Sequence, residues 1–251
     1  MPANEEGEPA DPRATASRPP SFTVFLFDYD DTLFPTSAHD NVEEAVREGT
    51  MTDEEGRARL AKCAASALRL LERCVLRGQI IICSNGDRSW LAESLDGEAY
   101  QELRQFLKAR AIPVLSARQH ATLQGLIEYD SGVWKRSCFG EILASLRQQG
   151  VAPSHALSIG DAEHDLSALE RNKEYLQHGG IMTKVQLKDQ PTADDLAVQH
   201  SVLTTCLDEL LEDDQTDNYE MAFEREKGED GAFVGVSLTA IEDPNMKDPE
   251  T

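Results

Sequence analysis

The chain has 251 residues, 40% of them apolar, enough for one good-sized core with some polar sequence left over. Asp and Glu number 46 against 24 Lys and Arg, a formal net charge of -22, so DNA and acidic membrane surfaces are repelled and neither a nucleic-acid nor a membrane partner is expected. No apolar run approaches the length a bilayer needs, and the Pro- and Glu-rich start lacks the basic and apolar regions of a signal peptide.

Residues 1–20 carry few large apolar side chains and read as a disordered arm. The five cysteines are scattered, with no paired spacing or neighbouring His cluster, and read as reduced thiols of a cytoplasmic protein, with the nucleus also open. Phe22–Phe27 (FTVFLF) is apolar without alternation, as a strand buried on both faces must be, and it stops at Asp28. A short helix near 40–48 and a long one over 53–77 follow, the second capped by Asp53 and closed by Gly78. Gln79–Cys83 is a second buried strand, residues 88–110 are helical, and Ile112–Leu115 is a third strand. A helix over 133–149, a strand at Ala156–Ile159, a strand at Gly180–Val185 and a helix at Ala193–Leu211 complete the pattern. Residues 212–251 hold thirteen acidic and three basic residues, so they read as a flexible acidic tail that a protein partner can use.

Strands alternating with helices predict an α/β domain over 21–211, a Rossmann-like doubly wound parallel sheet. Ligands of such sheets bind at the carboxyl ends of the strands. There stand Asp28, Asp30, Asp31 and Thr32 after the first strand, Ser84 and Asn85 after the second, Lys135 on the helix after the third, and Asp161 and Asp165 after the fourth. That set offers carboxylates for a hard cation, a hydroxyl and an amine for phosphate oxygens, and a carboxylate free to attack. Read singly, Asp30 to Thr32 can be a turn, Asp161 and Asp165 a helix cap, Ser84 a strand end and Lys135 a solvated cation; their joint occurrence lifts them. His164 reads as a bystander, since hard-cation sites favour oxygen.

The stretch FLFDYDDTL resembles the first motif, DxDx[TV], of the haloacid dehalogenase superfamily. Cys83-Ser84-Asn85 resembles its second motif, Lys135 in VWKRSCFGEIL its third, and SIGDAEHD its fourth, GDxxxD, all in order over about residues 22–190. The resemblance implies strand order 5-4-1-2-3 and an aspartyl-phosphate intermediate on Asp28, with Asp30 as acid and then base. It implies Mg2+ held by Asp28, the Asp30 carbonyl, Asp161 and Asp165, and phosphate oxygens bound by Thr32, Ser84, Asn85 and Lys135. True dehalogenases lack the second Asp, so Asp30 favours phosphorus as electrophile. A receiver domain places its phosphorylated Asp after the third strand, which the order here disfavours. The expected activity is hydrolysis of a phosphomonoester, on a small molecule or phosphoprotein; a phosphotransferase or mutase, or a non-catalytic scaffold acting through the tail, is the alternative. Neither gap between motifs holds a full cap domain, so a minimal helical cap and an open site are expected.

Overall fold

A computed structural model describes residues 22–127, 129–213, 218–225 and 233–241. The expected arm at 1–20 lies outside them. The elements run β1 (Thr23–Phe27), α1 (Thr36–Arg47), α2 (Asp53–Val75), β2 (Gln79–Ser84), α3 (Arg88–Ser94), α4 (Gln101–Ala109), β3 (Val114–Ser116), α5 (Ala117–Leu123), α6 (Ser131–Gln148), β4 (His155–Gly160), α7 (Glu163–Glu170), β5 (Ile181–Gln186), α8 (Ala193–Glu212), β6 (Asn218–Arg225) and β7 (Phe233–Ala240).

The fold is α/β, with a mostly parallel sheet in the order β3-β2-β1-β4-β5-β6-β7. The order implied by the resemblance, 5-4-1-2-3, is not that of the whole sheet: its five strands form the inner part, entered from β5, and two further strands extend it to seven. The acidic stretch read as a flexible tail supplies the other two. β6 pairs parallel to β5, Val185 opposite Tyr219, and β7 closes the edge antiparallel to β6. The rest of 212–251 beyond Asp213, Asn218–Arg225 and 233–241 lies outside the described residues.

Helices cover both faces because the central strands are apolar on both. Phe25 and Phe27 of β1, with Ile80 and Ile82 of β2, pack into one core with α2 and α8. Val24 and Leu26, with Ile81 and Cys83, pack into the other with α6 and α7. This two-sided burial is what an apolar run without alternation encodes. The caps refine the expected boundaries. α2 is capped by Thr52 rather than Asp53: its side chain accepts from Glu55 N at 3.2 Å, while Glu55 Oε2 accepts from Thr52 N at 2.9 Å, a reciprocal pair that satisfies two orphan donors. Asp130 caps α6 through Val133 N at 3.0 Å. No helix among the described residues is long and apolar enough to cross a membrane.

Candidate active site

The parallel register brings the ends of β1, β2 and β4 to one edge. Asp28 N continues the sheet by donating to Ile159 O at 2.9 Å, so the side chain emerges where β1 and β4 end. The chain then folds back tightly: Leu33 N and Phe34 N both donate to Tyr29 O at 2.9 Å, and Asp31 N donates to Phe34 O at 2.7 Å. Asp31 takes a positive φ of 50°, which an Asp tolerates better than most residues. Its carboxylate accepts from Ser37 N at 2.8 Å and from the Ser37 hydroxyl, which anchors the first turn of α1.

Asp30 accepts three hydrogen bonds. Thr36 Oγ1 donates to Oδ1 at 2.7 Å, Trp90 Nε1 to the same oxygen at 2.8 Å, and Ser84 Oγ to Oδ2 at 2.6 Å. Ser84 in turn accepts from Gly86 N at 2.7 Å. A Cβ on Gly86 would stand 2.8 Å from Trp90 Cδ1, so the absence of a side chain there lets the indole reach across to Asp30.

Lys135 enters from α6 and is fully buried. Its Nζ donates to Asp28 Oδ1 and to Cys83 O, the latter at 2.5 Å, and lies 2.8 Å from Asp165 Oδ1. Burial by itself would depress the ammonium, but Asp165 and Asp28 outweigh it and hold Lys135 above the usual lysine range, hence charged. Asp28 is pushed well above the ordinary carboxylate value, first by burial and next by Asp165, with Lys135 pulling the other way. Asp161, just past β4, is pushed up to about 7 by burial and by Asp165. Asp165 is buried on α7, where Oδ2 accepts from Ala162 N at 3.3 Å. Its carboxylate crowds Gly160: a Cβ there would fall 2.4 Å from Asp165 Oδ2.

Ligand oxygens of Asp28, Asp161 and Asp165 lie within 4.8 Å of one another. Three carboxylates facing one ammonium leave negative charge in surplus, and Asp165 adds to the burial that raises Asp28 and Asp161. An all-oxygen acidic donor set of this kind fits a hard divalent cation better than a soft metal.

Of the expected residues, Asp28, Asp30, Ser84, Lys135, Asp161 and Asp165 are joined in this one constellation. Asn85 stands beside it, with Nδ2 2.8 Å from His164 Nε2 and Oδ1 buried without a hydrogen-bond partner among the described residues. Thr32 sits deeper: the residue is 1% exposed, Oγ1 has no hydrogen-bond partner among the described residues, and its carbonyl accepts from His200 Nε2 at 2.7 Å. Burial lowers His200 to about 4, so at neutral pH the uncharged imidazole ties α8 to the loop after β1. His164, read as a bystander rather than a ligand, stands outside the carboxylate cluster; it touches Asn85 and lies 3.6 Å from Asp165 Oδ1. Thr36, Trp90 and His200 carry no motif signal. Only the fold shows that residues 6, 60 and 170 positions from Asp30 meet its loop. No family model matches this chain, and no curated protein matches it.

Proposed function

We propose that the chain is a magnesium-dependent phosphatase of the haloacid dehalogenase type, hydrolysing a phosphomonoester through an aspartyl-phosphate on Asp28. The observation that carries this reading is the buried contact of Lys135 with both Asp28 and Asp165, beside Asp161, at the carboxyl ends of β1 and β4. A solvated lysine or a helix-capping aspartate has no reason to be brought there. The fully buried ammonium needs the two carboxylates, and they need it.

In the first step an oxygen of Asp28 forms a bond to phosphorus while the bond to the leaving oxygen breaks. Asp30, entering the step protonated on Oδ2 with the Ser84 hydroxyl turned to accept, supplies the proton that the departing oxygen takes up. In the second step Asp30 accepts a proton from water as that water's oxygen bonds to phosphorus, releasing inorganic phosphate and free Asp28. The three hydrogen-bond partners around Asp30 fix its carboxyl group in one orientation for both transfers. Ser84, Asn85 and Lys135 are within reach to bind phosphoryl oxygens, where charge spreads in the transition state. Thr32 belongs to the backbone frame of the loop as much as to the phosphate.

Asp28, Asp161 and Asp165, with the Asp30 carbonyl, would hold Mg2+. Bound there, the ion supplies the positive charge that lets a phosphate dianion approach a cluster of acids. α1, the single short helix between β1 and α2, is the cap, which leaves the site open to a small-molecule or protein-borne phosphate. A cytoplasmic site of action agrees with the thiols and the acidic surface.

The test is hydrolysis of an aryl phosphate with and without Mg2+, in the wild type and in Asp28→Asn. Expected is metal-dependent turnover that falls by ~10³-fold or more in the variant, since the covalent route is closed. Turnover in Asp28→Asn equal to the wild type would remove the nucleophile assignment.

A further inference from the structure

Two of the five cysteines, 55 positions apart in the chain, meet in the fold: Cys83 Sγ donates to Cys138 Sγ at 3.2 Å. Both belong to the core that β1 and β2 share with α6. Three features go beyond the packing of two small side chains.

The first is position. Cys83 precedes Ser84, which bonds Asp30, and its own carbonyl accepts from Lys135 Nζ at 2.5 Å. Cys138 follows Lys135 by three residues on α6, nearly one helical turn. The two sulfurs therefore join the end of β2 to the stretch of helix that presents the buried ammonium. The second is access. Cys138, 3% exposed, stands in the wall of a groove of about 1020 Å³ beside Leu115 and Ile142, whereas Cys83 is wholly enclosed. A reagent about the size of water meets Cys138 first. The third is charge. The hydrogen bond from Cys83 holds the Cys138 thiol below its usual range, with Lys135 helping and burial opposing, while the same bond and burial push Cys83 well up. Cys138 is thus the sulfur that carries thiolate character, and the thiolate is the form that attacks a peroxide.

We infer that Cys83 and Cys138 form a redox site, in which a hydroperoxide joins them as a reversible disulfide that shifts Lys135 and Ser84 and stops turnover. The Cys138 sulfur bonds to one peroxide oxygen as the O–O bond breaks, which makes Cys138 a sulfenic acid. The other oxygen leaves as hydroxide and takes up the proton that Cys138 had shed, giving water. Cys83 sulfur then bonds to Cys138 sulfur as the S–O bond breaks, and the departing hydroxide takes the Cys83 proton. The two sulfurs together lose two electrons, and hydrogen peroxide is reduced to two waters. A dithiol reverses the bond by exchange.

A disulfide is about 2.05 Å long, so closing the 3.2 Å contact draws α6 and the end of β2 together by about 1 Å. A misplacement of that size at a catalytic group can cost about a hundredfold in rate. The loss of turnover rests on the phosphatase reading; the disulfide itself does not.

The test treats the reduced full chain with hydrogen peroxide, then denatures and alkylates it so that its mass counts free thiols. The count is expected to fall by two from the initial five, to return with dithiothreitol, and to map to one linked pair of peptides holding Cys83 and Cys138. Turnover of an aryl phosphate with Mg2+ should fall about tenfold or more in step with the link and recover with it. Cys138→Ala, lacking the attacking sulfur, should form no link and keep its turnover under peroxide. An unchanged count, a count lower by one with Cys138 as sulfinic acid, or a link that omits either residue would overturn the redox site. A linked protein that turns over as fast as the reduced one would overturn the switch. A link that forms in a chain hydrolysing nothing even when reduced would overturn the phosphatase reading and leave the disulfide supported.

Discussion

Lys135 Nζ lies 2.8 Å from Asp165 Oδ1, with both side chains sealed from solvent, and the same ammonium donates to Asp28. One cation thus serves two buried carboxylates, one on the residue just after β1 and one on α7. Removing it leaves both uncompensated, and breaking such an arrangement typically costs about 3 kcal/mol or more. Lys135→Met is expected to lose about that much stability in metal-free solution. Added Mg2+ should then raise its melting temperature more than it raises that of the wild type, because the cation meets a more negative cluster. Thermal melts of both proteins with and without Mg2+ check this, and equal metal shifts would mean that Lys135 and the ion do not share the carboxylates.

Gly160, the last residue of β4, makes room for the same arrangement. Any side chain there meets the Asp165 carboxylate, whose Oδ2 and Cβ lie 2.4 and 2.6 Å from the place a Cβ would take. Gly160→Ala is expected to lower stability by about 1 to 3 kcal/mol, the usual scale of overpacking, and to displace Asp165. The second consequence separates this from a simple loss of stability. The rise in melting temperature on adding Mg2+ should shrink in Gly160→Ala, and a full wild-type rise would show that Asp165 keeps its place.

The strand pair β6 and β7 completes the sheet beyond β5 and buries Met221 against the α8 side of the core. A chain ending at Glu212 loses that cover, and burial of one Met side chain alone is worth about 1.5 to 3 kcal/mol. The shortened chain should unfold at lower denaturant and self-associate through the bared β5 edge. Its aryl phosphate turnover, measured below the onset of association, should persist, since β1, β2 and β4 carry the site. A shortened chain as stable as the full one would reduce β6 and β7 to an ornament on the sheet.

The candidate site was legible because two-sided strands write themselves as unbroken apolar runs, and the chemistry of a parallel sheet sits on the next residue. Asp28 after FTVFLF follows from that rule, whereas Asp161, reached through Gly160 after the β4 strand, is separated from a helix cap only by the company of the other site residues. Lys135 did not: on a helix of mixed polarity nothing but the motif order separates a buried lysine from a solvated one. The Trp90 contact to Asp30 spans 60 residues and leaves no periodic trace in either segment. β6 and β7 were missed for a different reason. Tyr219, Met221 and Phe223 alternate with polar or small residues, as do Val234, Val236 and Leu238, so the period of two is present in the sequence. The density of acids outweighed it, although Glu220 and Glu224 on β6 fall in the phase alternate to Tyr219, Met221 and Phe223, where they are compatible with pairing.

His155 offers a pH test away from the site. It opens β4, is 5% exposed, and its Nε2 lies 2.8 Å from Thr183 Oγ1 on β5. Burial lowers its pKa to about 4, whereas the unfolded chain leaves a histidine near 6.5. Between those values the unfolded state binds more protons than the folded one, so this residue's contribution is complete above about pH 6.5 and is lost as pH falls toward 4. A shift of that size corresponds to about 3 kcal/mol over the window. Asp161, raised to about 7, drifts the opposite way, because its buried charge is relieved as pH falls. The drift cancels when the wild type is compared with His155→Gln, which keeps a polar group near Thr183 and does not titrate. Denaturant unfolding of the two proteins at pH 7 and pH 4 should show the wild type losing about 3 kcal/mol relative to the variant. A constant difference across that range would mean that His155 is protonated as readily in the fold as outside it.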